Sequence, residues 1–325
     1  MSQFSQSTVV VKIPASTANL GPGFDAIGMA LSLYAWLELS VSNKTEIVLY
    51  GDGMDGIPTD ETNLVYKIAQ QVFTKAGFQE QPIKISMYSD IPLTRGLGSS
   101  ASAIVGALVA ANALIGDYFT KQELFNMATE IEGHPDNVGA AMFGGIIVSS
   151  WDGVNAPYVK IKPPKQLSTI LAIPHFQLST EKARHALPDS YSKQDTVFNL
   201  GKSALLVAAL AEGKLELLGA ALQDKVHQPY RAALVPGLLT ILEQAQEKGA
   251  LGAALSGAGP TVIVFVEHES NSSDLEKFLH DTFANQKIET TILCLAPDLL
   301  GTHIIYSSTE PQTELDFIDL IKGAN

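Results

Sequence analysis

The fold of this chain is decided by Ile91-Pro-Leu-Thr-Arg-Gly-Leu-Gly-Ser-Ser-Ala-Ser-Ala103, which continues into an apolar segment that ends at Ile115. Its two glycines allow a tight turn and a close approach of the backbone to a bulky ligand. Ser99 and Ser100 stand where a helix N-cap is expected. Because the first N–H groups of a helix point outward and the helix dipole makes that end positive, this pattern predicts a phosphate-binding loop at the start of a helix.

The helix predicted after this loop consists almost entirely of Ala, Gly, Val, Leu and Ile. A helix without a polar stripe is expected to lie inside the protein. Burial also lowers the local dielectric constant, which strengthens the field that the N-terminus of the helix exerts on an anion.

Two other phosphate-binding patterns fit this stretch less well. A dinucleotide loop also has Gly-x-Gly-x-x-Ala, but it needs a strand directly before the first glycine and an acid at the end of the next strand. Here six residues separate the predicted strand 83–89 from Gly96, and a second helix follows instead of a strand. The Gly-Lys-Ser/Thr of a Walker A loop is missing. The remaining alternative is a capped core helix with no ligand.

Periodicity and turn residues predict the other elements. Residues 46–50 are expected to pair with the strand 31–42, and residues 15–25 to form a polar connecting loop. Strands are predicted at residues 9–14, 31–42, 46–50, 83–89, 143–150, 159–161, 168–173, 250–256, 261–266, 287–295 and 303–306. Further helices are predicted at residues 63–76, 121–132, 194–212, 215–224, 238–248 and 273–284, and from Thr180 up to Pro188.

Three stretches, in order along the chain, resemble the motifs of the galactose, homoserine, mevalonate and phosphomevalonate kinases. Residues 92–101 are similar to the nucleotide loop of that family. Residues 14–25, Pro-Ala-Ser-Thr-Ala-Asn-Leu-Gly-Pro-Gly-Phe-Asp, resemble the first motif of its homoserine-phosphorylating members, and residues 256–261 resemble the third motif. Residues 132–137 add a Glu ahead of a His-x-Asp-Asn group, which those members share. The resemblance covers almost the whole chain.

The resemblance implies a two-domain α+β small-molecule kinase. Its N-terminal, ATP-binding half would be similar to ribosomal S5 domain 2 and span residues 1–163, and its C-terminal, substrate-binding half would be ferredoxin-like and span residues 164–306. Residues 307–325 would be a tail. The implied reaction transfers the γ-phosphoryl group of ATP to the side-chain hydroxyl of L-homoserine, in threonine biosynthesis, with ATP and Mg²⁺ as cofactors.

The resemblance also implies roles for individual residues. The ATP contacts would be Asn63, Pro92, Leu93, Thr94, Arg95, Gly96, Leu97, Gly98, Ser99, Ser100, Ala101, Ser102, Gly257 and Gly259. The substrate contacts would be Asn19, Asp25, His134, Asn137, Thr180, Arg184 and Arg231, with Asn19, Asn137, Glu132 and Ser100 in catalytic roles. Asn63 is equally a good N-cap for the helix that follows it.

Ser100 and Glu132 would hold Mg²⁺, and Glu130 is the alternative because the spacing between Glu132 and His134 is short for the family. The resemblance places Asn137 where sister kinases have an acid. The hydroxyl proton would then pass directly to the phosphate, and Asp136 is the alternative general base.

Two other functions stay open. In sister enzymes such as mevalonate kinase, a Lys or Arg follows shortly after the proline of the first motif. Those enzymes also have an acid in the polar cluster that corresponds to residues 132–137. This chain has Ser16 and Asn137 at those positions. A non-catalytic, metabolite-binding relative would be favoured by loss of Gly98, Ser100 or Glu132, all of which are present.

Composition limits the partners of this 325-residue chain. Its net charge of −13 argues against nucleic acid and anionic membrane surfaces as partners, because both bind basic proteins. The single cysteine, Cys294, cannot form a disulfide within the chain, which fits a reducing compartment. It lies in an apolar run and is expected to be a small buried residue. We expect a cytoplasmic protein, since no signal peptide or membrane span is apparent. The apolar content is compatible with a homodimer without predicting one.

Overall fold

The computed structural model describes residues 4–51, 53–267, 272–310 and 316–323, and its first half is a sheet covered by helices. This half contains β1 (Thr8–Asn19), β2 (Gly23–Val41), β3 (Glu46–Tyr50), α1 (Leu64–Lys75), β4 (Ile83–Ser89), α2 (Ser99–Leu114), α3 (Lys121–Glu132), α4 (Pro135–Phe143), β5 (Ile146–Ser149) and β6 (Tyr158–Ile161). Apolar side chains of the helices and the sheet share one core. The α2 helix lies within it, as its composition predicted.

The second half is a four-stranded antiparallel sheet with the order β10-β7-β9-β8. It contains β7 (Leu167–Pro174), α5 (Thr180–His185), α6 (Lys193–Glu212), α7 (Leu218–Ala221), α8 (Gln228–Arg231), α9 (Leu238–Gln244), β8 (Gly252–Leu255), β9 (Val262–Glu267), α10 (Ser273–Ala284) and β10 (Thr290–Leu295). This order is the ferredoxin-like connection: a strand, helices, two strands, a helix and a final strand. The predicted two-domain α+β fold class is confirmed.

The chain then returns to the first sheet. The strand β11 (His303–Ser308) pairs antiparallel with β1, which gives the order β11-β1-β2-β4-β3, with β5 on β2 and β6 on β5. The short helix α11 (Phe317–Lys322) packs on the same sheet. The division at residues 163 and 306 stays a proposal, and these contacts favour grouping β11 and α11 with the first half. Part of the expected tail, residues 311–315 and 324–325, lies outside the described residues.

Two expectations for the first sheet were wrong. Of the loop expected at residues 15–25, only residues 20–22 lie outside a strand. Residues 15–19 continue β1, because their small side chains are buried and the backbone pairs with β2, and residues 23–25 begin β2. The strand β3 pairs with β4 in parallel, and not with β2. The helix α1 provides the crossover that a parallel pair requires, so β4 lies between β2 and β3.

Three local expectations also fail. The N-cap of α2 is Gly98, in the left-handed conformation with φ 71°, and neither Ser99 nor Ser100 caps the helix. Residues 135–143 form the buried helix α4, where no helix was predicted, because Pro135 suits the first helical turn and the apolar residues after it are buried. Cys294 is exposed and not buried, since β10 is an edge strand.

The helices of the described residues also bear on membrane association. None of them has both the length and the apolarity that crossing a bilayer would require.

Candidate active site

Both halves of the molecule line one cavity of about 120 Å³. The first half contributes the end of β1, the loop before α2, the C-terminal end of α3 and the N-terminal end of α4. The second half contributes α5, α8 and the turn between β8 and β9. The lining residues are Asn19, Asp25, Thr94, Arg95, Gly96, Gly98, Ser99, Ser100, Glu132, His134, Asp136, Asn137, Leu178, Thr180, Arg184, Arg231, Gly257, Ala258 and Gly259.

The glycine loop, residues 96–100, is packed tightly against other motifs. A Cβ atom on Gly98 would lie 2.1 Å from Ser16 Oγ, and one on Gly96 would lie 2.3 Å from the Ser256 carbonyl oxygen. Both glycines also have positive φ. They are therefore required for the docking of the loop onto the first and third motifs, in addition to any approach to a ligand.

Ser100 and Glu132 form a pair of oxygen donors at the edge of the cavity. Ser100 Oγ donates a hydrogen bond to Glu132 Oε2 over 2.9 Å. Burial raises the pKa of Glu132, although His134 and the Ser100 hydroxyl oppose this shift. The alternative acid, Glu130, pairs with Lys75 at 3.8 Å, has a side chain that is 66% exposed, and does not line the cavity. The geometry thus favours Glu132.

The start of α4 presents a charged pair to the cavity. His134 Nδ1 lies 2.6 Å from Asp136 Oδ1, and this oxygen also accepts the Asn137 backbone N–H over 2.7 Å. Burial alone would lower the pKa of His134, but the charges of Asp136, Asp25 and Glu132 raise it to about 9. His134 is therefore a cation at neutral pH, and Asp136 is occupied as its acceptor.

A hydrogen bond from Ser16, a residue of the first motif, orients the side-chain amide of Asn137. Ser16 Oγ donates to its Oδ1 over 3.0 Å, across a separation of 121 residues. This hydrogen bond turns the amide nitrogen of Asn137 away from Ser16, and the residue lines the cavity.

Asp25 and Arg184 form a bidentate ion pair across the two halves. Arg184 Nη1 donates to Asp25 Oδ2 over 3.0 Å, and Nη2 donates to Oδ1 over 2.8 Å. Although burial opposes it, the bond to Asp25 raises the pKa of Arg184. One acid of the first motif and one base of α5 are thus joined in the cavity wall.

Arg231 is the most deeply buried cation of the cavity, with 2% of its surface exposed. Its Nε donates to the Ala183 carbonyl oxygen over 3.1 Å, and its Nη1 donates to that of Gly257, also over 3.1 Å. Burial and the charge of Arg184 lower the pKa of Arg231 to about 10, so it stays protonated at neutral pH. Phe24 lies beside both guanidinium groups, with ring-to-carbon distances of 5.6 Å for Arg184 and 5.4 Å for Arg231.

Asn19 links the first and third motifs. Its Nδ2 donates to the Gly257 carbonyl oxygen over 2.9 Å, and its Oδ1 accepts the Asp25 backbone N–H over 3.0 Å. Since both ends of the amide are engaged within the protein, these contacts support a positioning role for Asn19 more directly than a contact with substrate.

Some of the predicted site residues lie outside the cavity wall. Asn63 caps α1, with its Oδ1 accepting the Val65 N–H and its Nδ2 donating to the Pro58 carbonyl oxygen, so its capping role is confirmed. A contact of Asn63 with ATP stays a prediction. The other predicted ATP contacts that do not line the cavity are Pro92, Leu93, Leu97, Ala101 and Ser102.

Arg95 has an unusual buried nitrogen. Its Nη1 is shielded from solvent and has no hydrogen-bond partner among the described residues, while the residue lines the cavity. A buried donor without an acceptor costs free energy, and an anionic ligand would offset that cost. This observation supports the predicted role of Arg95 toward ATP.

Three residues of the site, Leu178, Ala258 and Phe24, were not predicted from the sequence. Phe24 was within reach, because it directly precedes Asp25 in the first motif. Ala258 was also within reach, because it lies between Gly257 and Gly259 in the third motif. Leu178 carries no local signal, since nothing in its neighbourhood distinguishes an apolar cavity wall from an apolar core.

Comparison with known proteins gives matches in both halves. The GHMP kinases N terminal domain matches residues 63–145, and the GHMP kinases C terminal domain matches residues 206–285. The homoserine kinase of Deinococcus radiodurans is 45% identical, with 90% of this chain and 95% of that protein covered. The homoserine kinase of Moorella thermoacetica is 43% identical, with coverages of 91% and 99%.

Solved structures give the same result for the fold. The homoserine kinase of Cytophaga hutchinsonii superposes with a TM-score of 0.83 at 28% identity, over 93% of this chain and 99% of that one. A mevalonate kinase structure, at 16% identity and a TM-score of 0.65 over 89% of this chain and 99% of that one, shares the fold.

Proposed function

Because the chain belongs to the homoserine kinases of the GHMP kinase family, we propose that it transfers the γ-phosphoryl group of ATP to L-homoserine. The bond that forms joins the side-chain hydroxyl oxygen of homoserine to phosphorus, and the bond between phosphorus and the β–γ bridging oxygen of ATP breaks. The products are O-phospho-L-homoserine and ADP, and the reaction serves threonine biosynthesis.

One observation carries the proposal: a loop of the phosphate-binding type faces, across one cavity, charged groups that can bind the carboxylate and ammonium groups of an amino acid. The N-terminus of α2 supplies backbone donors for an anion. Across the cavity, Arg184 and Arg231 can bind a carboxylate, and Asp25 can pair with an ammonium group. A zwitterionic substrate would then replace Asp25 on Arg184 with its own carboxylate.

The residues around the reacting hydroxyl favour transfer without a general base. Asp136 already accepts from His134 and from the backbone of Asn137, and Asn137 can donate to the hydroxyl oxygen. The proton would pass to the transferred phosphoryl group. A loose phosphoryl-transfer transition state allows this, because catalysis then depends mainly on positioning and charge stabilisation.

The donor set also fits Mg²⁺. The ion prefers oxygen ligands and usually takes only one or two protein carboxylates, and Ser100 and Glu132 offer one hydroxyl and one carboxylate 2.9 Å apart. Ser100 and Glu132 would hold the ion, which supplies charge neutralisation to the β- and γ-phosphates of ATP.

The proposal is tested by measuring ADP release with a panel of acceptors, including L-homoserine, L-serine, L-threonine, mevalonate and galactose. We expect turnover with homoserine to exceed that with every other acceptor. A preference for mevalonate would assign the chain to a sister activity, and ATP binding without turnover of any acceptor would favour the non-catalytic function.

The absence of a general base is tested with Asp136→Asn. Loss of a general base typically costs about 10²- to 10⁴-fold in rate. We expect this variant to keep kcat within about tenfold of the wild type, with no carboxylate-like titration of kcat between about pH 5 and 8. A fall of about 100-fold or more in a folded, ATP-binding variant would make Asp136 the base.

A further inference from the structure

His227 lies behind Arg231, outside the cavity wall, and is completely buried. It precedes Arg231 by four residues, at the start of α8. Each nitrogen of its imidazole ring lies within hydrogen-bonding distance of a group that can only donate or only accept, and these two contacts determine the protonation state of the ring.

The first contact is with the turn between β1 and β2. His227 Nε2 lies 2.7 Å from the Gly21 carbonyl oxygen, which can only accept, so Nε2 carries the hydrogen. Asp224 Oδ2 lies 3.5 Å from the same nitrogen, and it accepts the backbone N–H groups of His227 and Gln228.

The second contact is with Arg231. His227 Nδ1 lies 3.3 Å from Arg231 Nη1, and a guanidinium group can only donate. Nδ1 is therefore the acceptor, and the ring is neutral with its hydrogen on Nε2. Burial, which outweighs the opposing charge of Asp224, lowers the pKa of His227 and agrees with this assignment.

Arg231 is then held from three sides. Its Nε–H goes to Ala183, and the two hydrogens of Nη1 go to Gly257 and His227. Nη2 has no hydrogen-bond partner among the described residues. Because the other donors are held, the planar guanidinium group has one orientation, which leaves Nη2 for a ligand.

We propose that His227 is a positioning residue for the substrate carboxylate, acting as the acceptor that fixes the guanidinium plane of Arg231. This inference rests on the proposed function, since it assumes that homoserine is the ligand of Arg231. Without an acceptor at the Nδ1 position, one hydrogen of Nη1 is buried and unpaired. The guanidinium group then turns to satisfy it, and the site loses its aligned donor for the carboxylate.

Two variants separate this role from simple packing. His227→Asn places an amide oxygen near the Nδ1 position and keeps the acceptor for Arg231, but it loses the hydrogen bond to Gly21. His227→Gln places an amide nitrogen near the Nε2 position and keeps the bond to Gly21, but it loses the acceptor. Homoserine KM, ATP KM and Tm are measured for both variants and for the wild type.

We expect His227→Gln to raise the KM for homoserine by about 10- to 100-fold, the effect of one charged hydrogen bond, with the KM for ATP unchanged. His227→Asn should stay within about threefold of the wild type in homoserine KM, although its Tm falls because the bond to Gly21 is lost. A tenfold or larger rise in homoserine KM for His227→Asn, or equal rises in both KM values for either variant, would overturn the proposal. His227→Asn is informative alone if His227→Gln does not fold.

The coupling is measured in an Arg231→Lys background, which removes the planar group that His227 orients. There His227→Gln should change homoserine KM by less than about twofold, because the two substitutions act on one interaction. An undiminished effect would show that His227 acts by another route. Absence of homoserine turnover in the wild type would contradict the proposed function itself, whereas failure of the variants alone would contradict only the role of His227.

Discussion

The two sides of the cavity are built in opposite ways. The loop side, residues 96–100, offers mainly backbone groups and two small hydroxyls, and it comes from one continuous stretch of chain. The charged side comes from four separate stretches and is held by ion pairs and by hydrogen bonds of side chains to one another and to the backbone. It consists of Asp25, His134, Asp136, Arg184 and Arg231.

The two sides should therefore be sensitive to different substitutions, the loop side to added atoms and the charged side to lost charges. The loop side depends on the absence of side chains, so adding one carbon atom should be severe there. The charged side depends on matched partners, so removing one charge should weaken binding of the ligand that the charge contacts and leave any paired charge without its partner. The following predictions test this contrast, in order of expected effect.

The largest effect is expected at Gly98. In Gly98→Ala the added Cβ would lie 2.1 Å from Ser16 Oγ at a backbone conformation that L-residues rarely adopt, and we expect ATP turnover to be abolished. The matched control is Gly133→Ala, which also has positive φ but has open space around the added atom. It should cost about 1–2 kcal/mol of stability and leave turnover intact. Equal activities of the two variants would refute the steric account.

Next, Glu132→Gln should lower kcat by about 10²- to 10³-fold, a range typical for removal of one electrostatic group from an active site. Glu130→Gln is the control, because it is isosteric and its side chain is exposed. It should keep wild-type kcat. Raising the Mg²⁺ concentration should partly restore the kcat of Glu132→Gln and leave the kcat of Glu130→Gln unchanged. The reverse result, with Glu130→Gln impaired, would move the role to Glu130.

A smaller and selective effect is expected at Arg231. Arg231→Leu should raise the KM for homoserine by about 10- to 100-fold with little change in the KM for ATP, since one charged contact with the carboxylate is lost. Lys182→Leu, a charge removal at an exposed position of α5, should change neither value. If Arg231→Leu altered only the KM for ATP, the assignment of the two sides of the cavity would be reversed.

The smallest effect concerns pH and stability. The folded-state pKa of His134 is about 9, above its ordinary value of 6.5, so the stability it contributes is fully present below pH 6.5 and is lost as the pH rises through about 9. We therefore expect the Tm difference between the wild type and His134→Gln to narrow over that interval. A difference that is constant from pH 6 to about pH 10 would mean that the ring is neutral in the folded protein.

The loop side could be predicted from the sequence because its signal is local. Glycine spacing, the helix that follows and the adjacent serines all lie within about a dozen residues, a distance over which local propensity is informative. Even there the sequence did not show why both glycines are needed, since Ser16 and Ser256 approach them from distant parts of the chain.

The charged side could be predicted as a set of residues but not as a set of contacts. Asp25 and Arg184 are 159 residues apart, and no periodicity or spacing indicates that they pair. The same holds for His227, because nothing in the surrounding sequence indicates that its ring faces Gly21. The loop expected at residues 15–25 was wrong for residues 15–19, because the small side chains that suggest a turn also suit a buried strand, and the pairing with β2 decided between them.

The return of the chain to the first sheet has a mechanical consequence. The ferredoxin-like half leaves the first half after β6 and rejoins it near Pro297, where Ser32 and Ala30 exchange backbone hydrogen bonds with Ala296 and Asp298. The two crossings also enclose a shared apolar core, in which Leu20 and Met29 of the first half lie with Leu171 and Ile263 of the second. Further hydrogen bonds join the halves, such as the one from the Gly257 N–H to the Ala18 carbonyl oxygen. The two halves therefore hold each other in place, and the two walls of the cavity keep one register.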